Sequence, residues 1–237
     1  MAASGQLRHW ARRLAWRLGY DVRPFVAMRD PFLRLAALCA HLEVSLVIDA
    51  GANGGLWVSD LREAGYQGRV ASFEPDPSAS AALAARASAD PAWTAYPIGL
   101  GASRGTVELR LTDDSHFNSF LPQAEPIEQT ATRVVHLARV ERLDEILEVA
   151  PGERIFLKVD VQGYELPVLE GASGIMDRVV GAQVEVSLIP LYEGQPSIRQ
   201  VISRLESDGL RVAGVINGSL YASGEESFFD VLAVRIA

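Results

Sequence analysis

The strongest constraint on the fold is an alternation of strand and helix patterns that begins at residue 44. Residues 44–50 form an apolar run typical of a buried strand, and a glycine cluster separates this run from a helical pattern at 56–64. The alternation continues, with strands predicted at 69–74, 92–98, 106–111, 133–139, 154–160 and 180–188, and helices at 77–87, 141–149, 164–178 and 197–208. This order predicts an α/β fold with a largely parallel sheet. Two final strands, 210–216 and 227–236, have no helix between them and should pair antiparallel at one edge.

Composition excludes several classes of protein. Of the 237 residues, 49% are hydrophobic and 22% are charged, which is typical of a globular chain. Cys39 is the only cysteine, so an internal disulfide framework and a cysteine-based zinc site are excluded. No apolar run reaches the length of about 18 residues that a membrane-spanning helix needs. We therefore expect no integral membrane segment, and a cytoplasmic location.

Charge divides the chain into a predicted basic helical arm at 1–42 and a domain at 43–237. Residues 1–40 carry seven arginines and two aspartates, which leaves 15 basic and 28 acidic residues in the remainder. An acidic body argues against a nucleic-acid partner. Three interpretations of the arm stay open: a segment that faces the substrate or forms a homodimer, a membrane-surface or targeting segment, or an amphipathic helix packed on the domain through Leu7, Trp10, Leu14 and Leu18.

The sharpest local motif is the segment Asp49-Ala50-Gly51-Ala52-Asn53-Gly54-Gly55, which ends the first strand. Gly51 allows a tight turn, Asn53 tolerates a left-handed backbone, and Gly55 allows a helix and a ligand to approach closely. The next strand ends in Glu74, which is followed by Pro75 and lies 25 residues after Asp49. A carboxylate at that position can accept both hydroxyls of a ribose.

Two cofactor classes use a strand, turn and helix of this kind. A dinucleotide-binding turn has the pattern G-x-G-x-x-G, but Asn53 and Leu56 occupy the second and third glycine positions here. A carboxylate at Asp49 suits a cationic ligand better than a diphosphate, and S-adenosylmethionine carries a sulfonium and an ammonium but no phosphate. The pattern therefore favours S-adenosylmethionine, with these candidate binding residues: Asp49, Gly51, Asn53, Gly55, Glu74 and Pro75.

Five sequence blocks resemble the FkbM-type methyltransferases in the same order along the chain. They are VIDAGANGG with SFEPDP, RLDEIL, LKVDVQGYELPVLEGA, VEVSLIPLYEGQP and FDVLAVR, and together they span about residues 44–236. The resemblance implies a Rossmann-like methyltransferase fold, with a mostly parallel, seven-stranded sheet and an antiparallel edge strand. It also implies S-adenosylmethionine as methyl donor and usually a hydroxyl of a sugar or natural product as acceptor.

Three acidic residues are candidates for the acceptor side. Asp160 should end the strand beside the glycine motif, and in the similar family block it borders the donor's methyl group and the acceptor. It is a candidate donor contact and also a general base, metal ligand or substrate orienter. Glu165 is a site residue or a partner of the helix dipole. Glu185 lies in an apolar strand and is a catalytic candidate or half of a buried pair. Asp160 and Glu185 are candidate Mg²⁺ ligands, although two carboxylates are too few to establish a metal site.

A long segment without periodicity, 112–131, contains another catalytic candidate. Loops of this length are more often functional than accidental, so we expect this one to lie ordered over a cleft. His116 is a candidate general base because histidine is the residue type most often suited to proton transfer at neutral pH. Phe117 and Phe120 would help to close the loop over a ligand.

These features favour an S-adenosylmethionine-dependent O-methyltransferase acting on a small acceptor that contains a sugar or is another natural product. N-methylation of a natural product and binding of S-adenosylmethionine without catalysis are the alternatives. The missing glycines disfavour a nicotinamide-dependent oxidoreductase.

Overall fold

The computed structural model describes residues 30–124, 131–220 and 226–235. The strands in these ranges are β1 (Leu46–Ala50), β2 (Arg69–Phe73), β3 (Trp93–Tyr96), β4 (Gly99–Leu100), β5 (Gly105–Leu111), β6 (Val134–Glu141), β7 (Ile155–Val159), β8 (Val179–Ser187), β9 (Leu210–Leu220) and β10 (Glu226–Arg235). The α-helices there are α1 (Pro31–His41), α2 (Leu56–Glu63), α3 (Pro77–Ala87), α4 (Leu143–Ile146), α5 (Glu165–Gly171) and α6 (Ile198–Ser207). Two short 3₁₀ segments are Ser115–Phe117 and Ser173–Arg178.

Seven of these strands form one sheet in the order β3-β2-β1-β7-β8-β10-β9. The pairs from β3 through β8 are all parallel. Strand β10 runs antiparallel to both of its neighbours, β8 and β9. The predicted Rossmann-like architecture and the antiparallel pair at one edge are therefore confirmed. The reversed strand is the inner member of that pair, and β9 forms the edge itself.

Strands β4, β5 and β6 form a second, smaller sheet in the order β4-β6-β5. The predicted strands at 106–111 and 133–139 belong to this sheet. Strand β4 was not among the strands that the sequence predicted. The small sheet is inserted in the chain between β3 and β7. It carries the connection 112–131, so it sets where that loop leaves and rejoins the domain.

Side-chain caps explain where two of the helices begin. The carboxylate of Asp30 accepts hydrogen bonds of 2.9 Å from the backbone amides of Phe32 and Leu33, and a proline opens the helix. Asp76 caps α3 in the same way, by accepting from the amide of Ser78 at 2.9 Å. Such caps satisfy amide groups that have no partner within the helix.

Two predicted helices differ from the structure. The helix expected at 141–149 is the single turn α4. The helix expected at 164–178 is divided into α5 and a 3₁₀ segment. The division falls at Gly171, where a Cβ atom would overlap the carbonyl oxygen of Gly101. Close approach of two backbones requires glycine at this point, and glycine is a poor residue for continuing a helix.

Both faces of the large sheet are covered by apolar clusters. On one face, Val47 and Phe156 of the sheet pack with Val58 and Leu61 of α2. On the other face, α5 and α6 contribute the fully buried side chains of Val168, Leu169 and Leu205. The strands are therefore buried on both sides, as a parallel sheet requires.

The described part of the predicted arm packs into the domain. Leu35 and Cys39 of α1 are buried, and the ring of Phe32 lies edge-on to Trp57 of α2 at 6.1 Å between centroids. The arm's other predicted apolar positions, from Leu7 to Leu18, lie outside the described residues. Within the described ranges, no helix has the length and apolar character needed to cross a membrane. The domain boundary, the homodimer and the cytoplasmic location stay predictions.

Candidate active site

The glycine motif forms the turn between β1 and α2, and it lies at the carboxyl end of the sheet. Gly51 and Asn53 have positive φ angles of 75° and 46°, so the left-handed backbone that the sequence indicated is confirmed for Asn53. A Cβ atom at Gly51 would overlap the carbonyl oxygen of Asp160. Only glycine therefore allows the ends of β1 and β7 to meet here. Both Gly51 and Asn53 line a cleft of about 310 Å³, a size that suits a small ligand.

Gly55 lies at a close packing contact of the same turn. Its φ angle is 81°, and a Cβ atom there would press on the side chains of Leu83 and Trp93 at 2.8 and 3.0 Å. Gly55 lies outside the cleft lining. It allows the turn to pack closely against α3 and β3.

Glu74 is held rigidly beside the turn. One carboxylate oxygen accepts the backbone amide of Asn53 at 2.7 Å, and the other accepts the amide of Asp76 at 2.9 Å. Burial raises the pKa of Glu74 to about 7, although the two amide hydrogen bonds oppose this change. Glu74 and the following Pro75 both line the cleft. Each carboxylate oxygen keeps further acceptor capacity that can serve a ligand.

Asp49 lies beneath the cleft instead of lining it. Its carboxylate is fully buried and accepts a hydrogen bond of 3.2 Å from the hydroxyl of Ser72. Asp49 Oδ1 lies 3.1 Å from the ammonium nitrogen of Lys158, which lines the cleft. The cation that pairs with Asp49 in the structure is therefore Lys158, a residue of the chain itself.

Lys158 is a site residue that the sequence reasoning missed. Its ammonium group donates to the carbonyl of Gly51 at 2.9 Å and lies 3.5 Å from Asp160 Oδ2. Burial lowers the pKa of Lys158, but the carboxylates of Asp49 and Asp160 more than offset this and hold the pKa above its usual value. In the sequence, Lys158 is visible as an isolated charge in an apolar strand. Its importance follows from the strand register, which pairs it with Asp49.

Asp160 and Glu185 meet on the far side of the glycine turn, through a shared partner. The side-chain amide of Gln162 donates to Asp160 Oδ1 at 3.0 Å and to Glu185 Oε2 at 2.7 Å. Gln162 itself has a positive φ of 53°, and Gly163 follows with 95°, which forms the predicted turn after β7. Asp160 and Glu185 both line the cleft. Gln162 therefore joins two of the three catalytic candidates, and the third, His116, lines the same cleft.

The acidic side chains in this region influence one another. Burial raises the pKa of Glu185 well above its usual value, and the negative charges of Asp160, Glu165 and Asp230 raise it further. Glu165 is buried below the lining, where it accepts the amide of Gly163 at 2.9 Å. Burial raises the pKa of Glu165 to about 7. Glu165 and Glu185 therefore take up protons more readily than exposed carboxylates.

The arrangement of Asp160 and Glu185 does not suit the Mg²⁺ ion considered from the sequence. The N–H groups of Gln162 point at both carboxylates, so a hydrogen-bond donor occupies the place between them. Mg²⁺ requires oxygen ligands there. The described ranges contain no cluster of three or more histidine, cysteine, aspartate or glutamate side chains that could hold a metal ion.

The described part of the long loop, residues 112–124, lies against both sides of the cleft. The side chain of Asn53 donates to the hydroxyl of Ser115 at 3.0 Å, and Asn118 donates to Asp76 at 2.9 Å. Ser119 donates to the carbonyl of Gln162 at 2.6 Å. The loop therefore connects the glycine turn to the turn that follows β7. Residues 125–130 lie outside the described ranges.

His116 lies at the rim of the cleft. Its side chain is 71% exposed, and Nδ1 lies 2.7 Å from the carboxylate of Asp114. Hydrogen bonds from His116 lower the pKa of Asp114. This geometry resembles the partnered imidazole of a general base, but it lies in a more open position than Asp160 or Glu185.

The chain is similar to several solved structures, among them the following three. Magnesium protoporphyrin IX methyltransferase from Synechocystis PCC 6803 is 13% identical, with 98% of this chain and 91% of that chain covered and a TM-score of 0.48. A 1,6-didemethyltoxoflavin-N1-methyltransferase from Burkholderia thailandensis is 13% identical, with 100% and 90% covered and a TM-score of 0.45. An S-adenosylmethionine-dependent methyltransferase from Aquifex aeolicus is 15% identical, with 90% and 100% covered and a TM-score of 0.44.

Sequence comparison gives the family directly. Among curated proteins, none matches the sequence significantly. The family model for the FkbM methyltransferase domain matches residues 49–212, which include the glycine turn, Glu74, Lys158, Asp160 and Glu185. The matched region covers more than half of the chain and contains the edge of the sheet where the cleft lies. The chain therefore belongs to the FkbM family of S-adenosylmethionine-dependent methyltransferases.

Proposed function

We propose that the protein transfers the methyl group of S-adenosylmethionine to a hydroxyl of a small acceptor, either a sugar-containing molecule or another natural product. The observation that supports this most strongly is the position of two carboxylates on opposite sides of the glycine turn. Glu74 follows β2 and Asp160 follows β7, with β1 between those strands. Both carboxylates line the same cleft, at the edge where α/β sheets bind nucleotides.

Glu74, Gly51, Asn53 and Pro75 form the side of the cleft that we call the donor half. Glu74 is oriented by two backbone amides, so it can accept the ribose hydroxyls without losing side-chain freedom on binding. Asp49 contributes indirectly, because it fixes the ammonium group of Lys158 against the carbonyl of Gly51. Asp49 is therefore a positioning residue for the donor in this proposal.

Asp160, Gln162 and Glu185 form the side that we call the acceptor half. S-adenosylmethionine supplies a methyl group that is already activated, so the chain's tasks are to align the acceptor oxygen and to receive its proton. Glu185 suits proton uptake because its pKa is raised by burial, and Asp160 suits contact with the acceptor because its side chain is 35% exposed. We assign Asp160 to orient the acceptor and Glu185 to receive the proton, with His116 as the alternative base.

Calorimetry with S-adenosylhomocysteine tests the donor half without needing the acceptor. The Glu74→Ala variant should bind it roughly 5- to 150-fold more weakly than the parent, because a buried hydroxyl pair loses its acceptor at a cost of about 1–3 kcal/mol. Glu63→Ala, which changes an exposed glutamate on α2, is the matched control and should bind like the parent. Equal affinity for Glu74→Ala and the parent would show that Glu74 does not hold the ribose.

Methyl transfer itself is tested with S-adenosylmethionine labelled in the methyl group and a panel of hydroxylated acceptors. The proposal expects label on an acceptor oxygen. Label on nitrogen would replace the O-methyltransferase assignment with N-methylation. For any acceptor that is methylated, loss of the His116 side chain should reduce turnover less than loss of the Asp160 side chain. The opposite order would indicate that His116, in the loop, is the more important catalytic residue.

A further inference from the structure

The acceptor half continues as a row of polar side chains across the large sheet. Asp49, Lys158 and Gln183 are in register on β1, β7 and β8. Glu185, two residues further along β8, is in register with Asp230 on β10. Residues two apart on a strand point to the same face of a sheet. This face of the sheet is therefore polar, instead of apolar, at the end where the sheet forms the cleft.

Charge in this row is not balanced. Lys158 is the one permanent cation among the described residues that line the cleft, and it lies between Asp49 and Asp160. Glu185 adds a further carboxylate within hydrogen-bond distance of the same Gln162 amide that bonds Asp160. One ammonium group thus faces the carboxylates of Asp49, Asp160 and Asp230. Burial and the neighbouring carboxylates raise the pKa of Glu185, so this side chain ionises more readily when a cation lies beside it. S-adenosylmethionine carries a net charge of only +1, so excess negative charge persists when the donor is bound.

Gln183 provides a second and independent indication of a ligand. Its side chain is 2% exposed and lines the cleft, and its amide nitrogen donates to Asp230 at 3.0 Å. Its carbonyl oxygen is buried and accepts no hydrogen bond from the described residues. A buried acceptor without a donor is costly, so this oxygen is expected to meet an N–H or O–H group of a bound molecule.

We propose that the acceptor half recognises a molecule that carries a cationic amine close to the group that is methylated. This inference rests on the proposed function, and it specifies the class of acceptor. An ammonium group supplies several hydrogen-bond donors to Gln183 Oε1, Glu185 and Asp160, and it also offsets their charge. A neutral polyol supplies only the donors, and an anionic acceptor is repelled. The acceptor class is therefore an amino alcohol, such as an aminated sugar.

The test uses three small probes of similar size: ethanolamine, ethylene glycol and glycolate. Their binding is measured by ligand-observed saturation-transfer NMR at pH 7.5, with and without saturating S-adenosylhomocysteine. Ethanolamine should bind saturably in the millimolar range, which is reachable for a ligand of so few atoms. Glycolate and ethylene glycol should bind at least about tenfold more weakly, since neither supplies the compensating charge.

Variants locate the binding. Glu185→Gln keeps the shape of the side chain and removes its charge, and it should weaken ethanolamine binding at least about fivefold. Asp160 lies nearer the surface, so Asp160→Asn tests the negative charge of the acceptor half if Glu185→Gln fails to fold. Glu206→Gln is the matched control, because it removes an exposed acidic charge on α6, away from the cleft lining. It should bind ethanolamine like the parent.

Two results would overturn the inference: ethanolamine binding that is absent or no tighter than that of ethylene glycol, or binding that is unchanged in both charge variants. The proposed function fails separately, when S-adenosylhomocysteine does not bind or binds Glu74→Ala as tightly as the parent. Saturable ethanolamine binding without nucleoside binding would keep the amine site and remove the donor assignment.

Discussion

The donor half and the acceptor half of the cleft are built in different ways. In the donor half, Glu74 is held by the backbone amides of residues 53 and 76, and the turn is defined by glycine and asparagine dihedral angles. In the acceptor half, side chains hold one another: Gln162 joins Asp160 to Glu185, and Tyr192 Oη lies 3.0 Å from Gln162 Oε1. A ligand common to many enzymes can be bound by backbone geometry. A ligand that differs between enzymes is bound by side chains, which can change without changing the fold.

Removal of the Lys158 ammonium group should have the largest effect, because it joins the two halves. Lys158→Met leaves Asp49 fully buried without its cation, and such a loss costs about 3–5 kcal/mol of folding free energy. Urea denaturation monitored by circular dichroism measures it. The double variant Asp49→Asn/Lys158→Met should recover part of the loss. A loss below about 1 kcal/mol in the single variant would show that the pair does not act as a buried ion pair.

Gly51→Ala should have the second largest effect, because it distorts the backbone turn of the donor half. The added Cβ would overlap the Asp160 carbonyl, and φ is 75°. We expect a loss of at least about 2 kcal/mol in unfolding free energy, together with weaker S-adenosylhomocysteine binding. Gly54→Ala is the control, since its Cβ would lie 3.9 Å from the nearest atom, Ala82 Cβ. If both variants were equally stable, the contact between β1 and β7 would not depend on glycine.

The smallest predicted effect is a pH dependence confined to the donor half. Because the pKa of Glu74 is about 7, this carboxyl is mostly protonated at pH 6 and mostly ionised at pH 8. An ionised acceptor bonds ribose hydroxyls more strongly by about 1 kcal/mol, so affinity for S-adenosylhomocysteine should rise about fivefold between those values. Calorimetry at both values measures this change, and Glu74→Gln should abolish it. A similar rise in Glu74→Gln would assign the titration to another group.

The contribution of Glu74 to folding stability should change with pH in the opposite direction: it should fall as the pH rises. Burial raises the pKa of Glu74 from 4.5 in the unfolded chain to about 7. Its contribution to stability is therefore full below pH 4.5 and is lost as the pH rises through about 7. Glu74→Gln removes this contribution to the pH dependence, so the parent and the variant should differ most in slope between those two values.

The donor half could be predicted closely because its determinants are local. Asp49, Gly51, Asn53, Glu74 and Pro75 lie within two adjacent βα units, and strand ends in such units meet at one edge of the sheet. Even so, Asp49 and Gly55 lie outside the cleft lining, which the motif alone could not show. The alternation also predicted the strands of the large sheet. It predicted β5 and β6 as well, but not their separate sheet with β4, because that pairing depends on contacts between distant segments.

The acceptor half was harder to predict because its contacts join distant parts of the chain. Gln162 meets Glu185 across 23 positions, and Ser119 meets Gln162 across 43. Lys158 was overlooked since one charge in an apolar strand carries no motif, and only the strand register brings it to Asp49. Gln183 was overlooked for the same reason, because its significance depends on burial.

A crystal structure of the protein with S-adenosylhomocysteine tests the central claim most directly, because it shows where each half of the cleft binds the donor. Both ribose hydroxyls should lie at about 3 Å from the carboxylate of Glu74, and the sulfur should be directed toward Asp160 and Glu185. A nucleoside that makes no contact with Glu74, or a sulfur that points away from Asp160, would contradict the division into donor and acceptor halves.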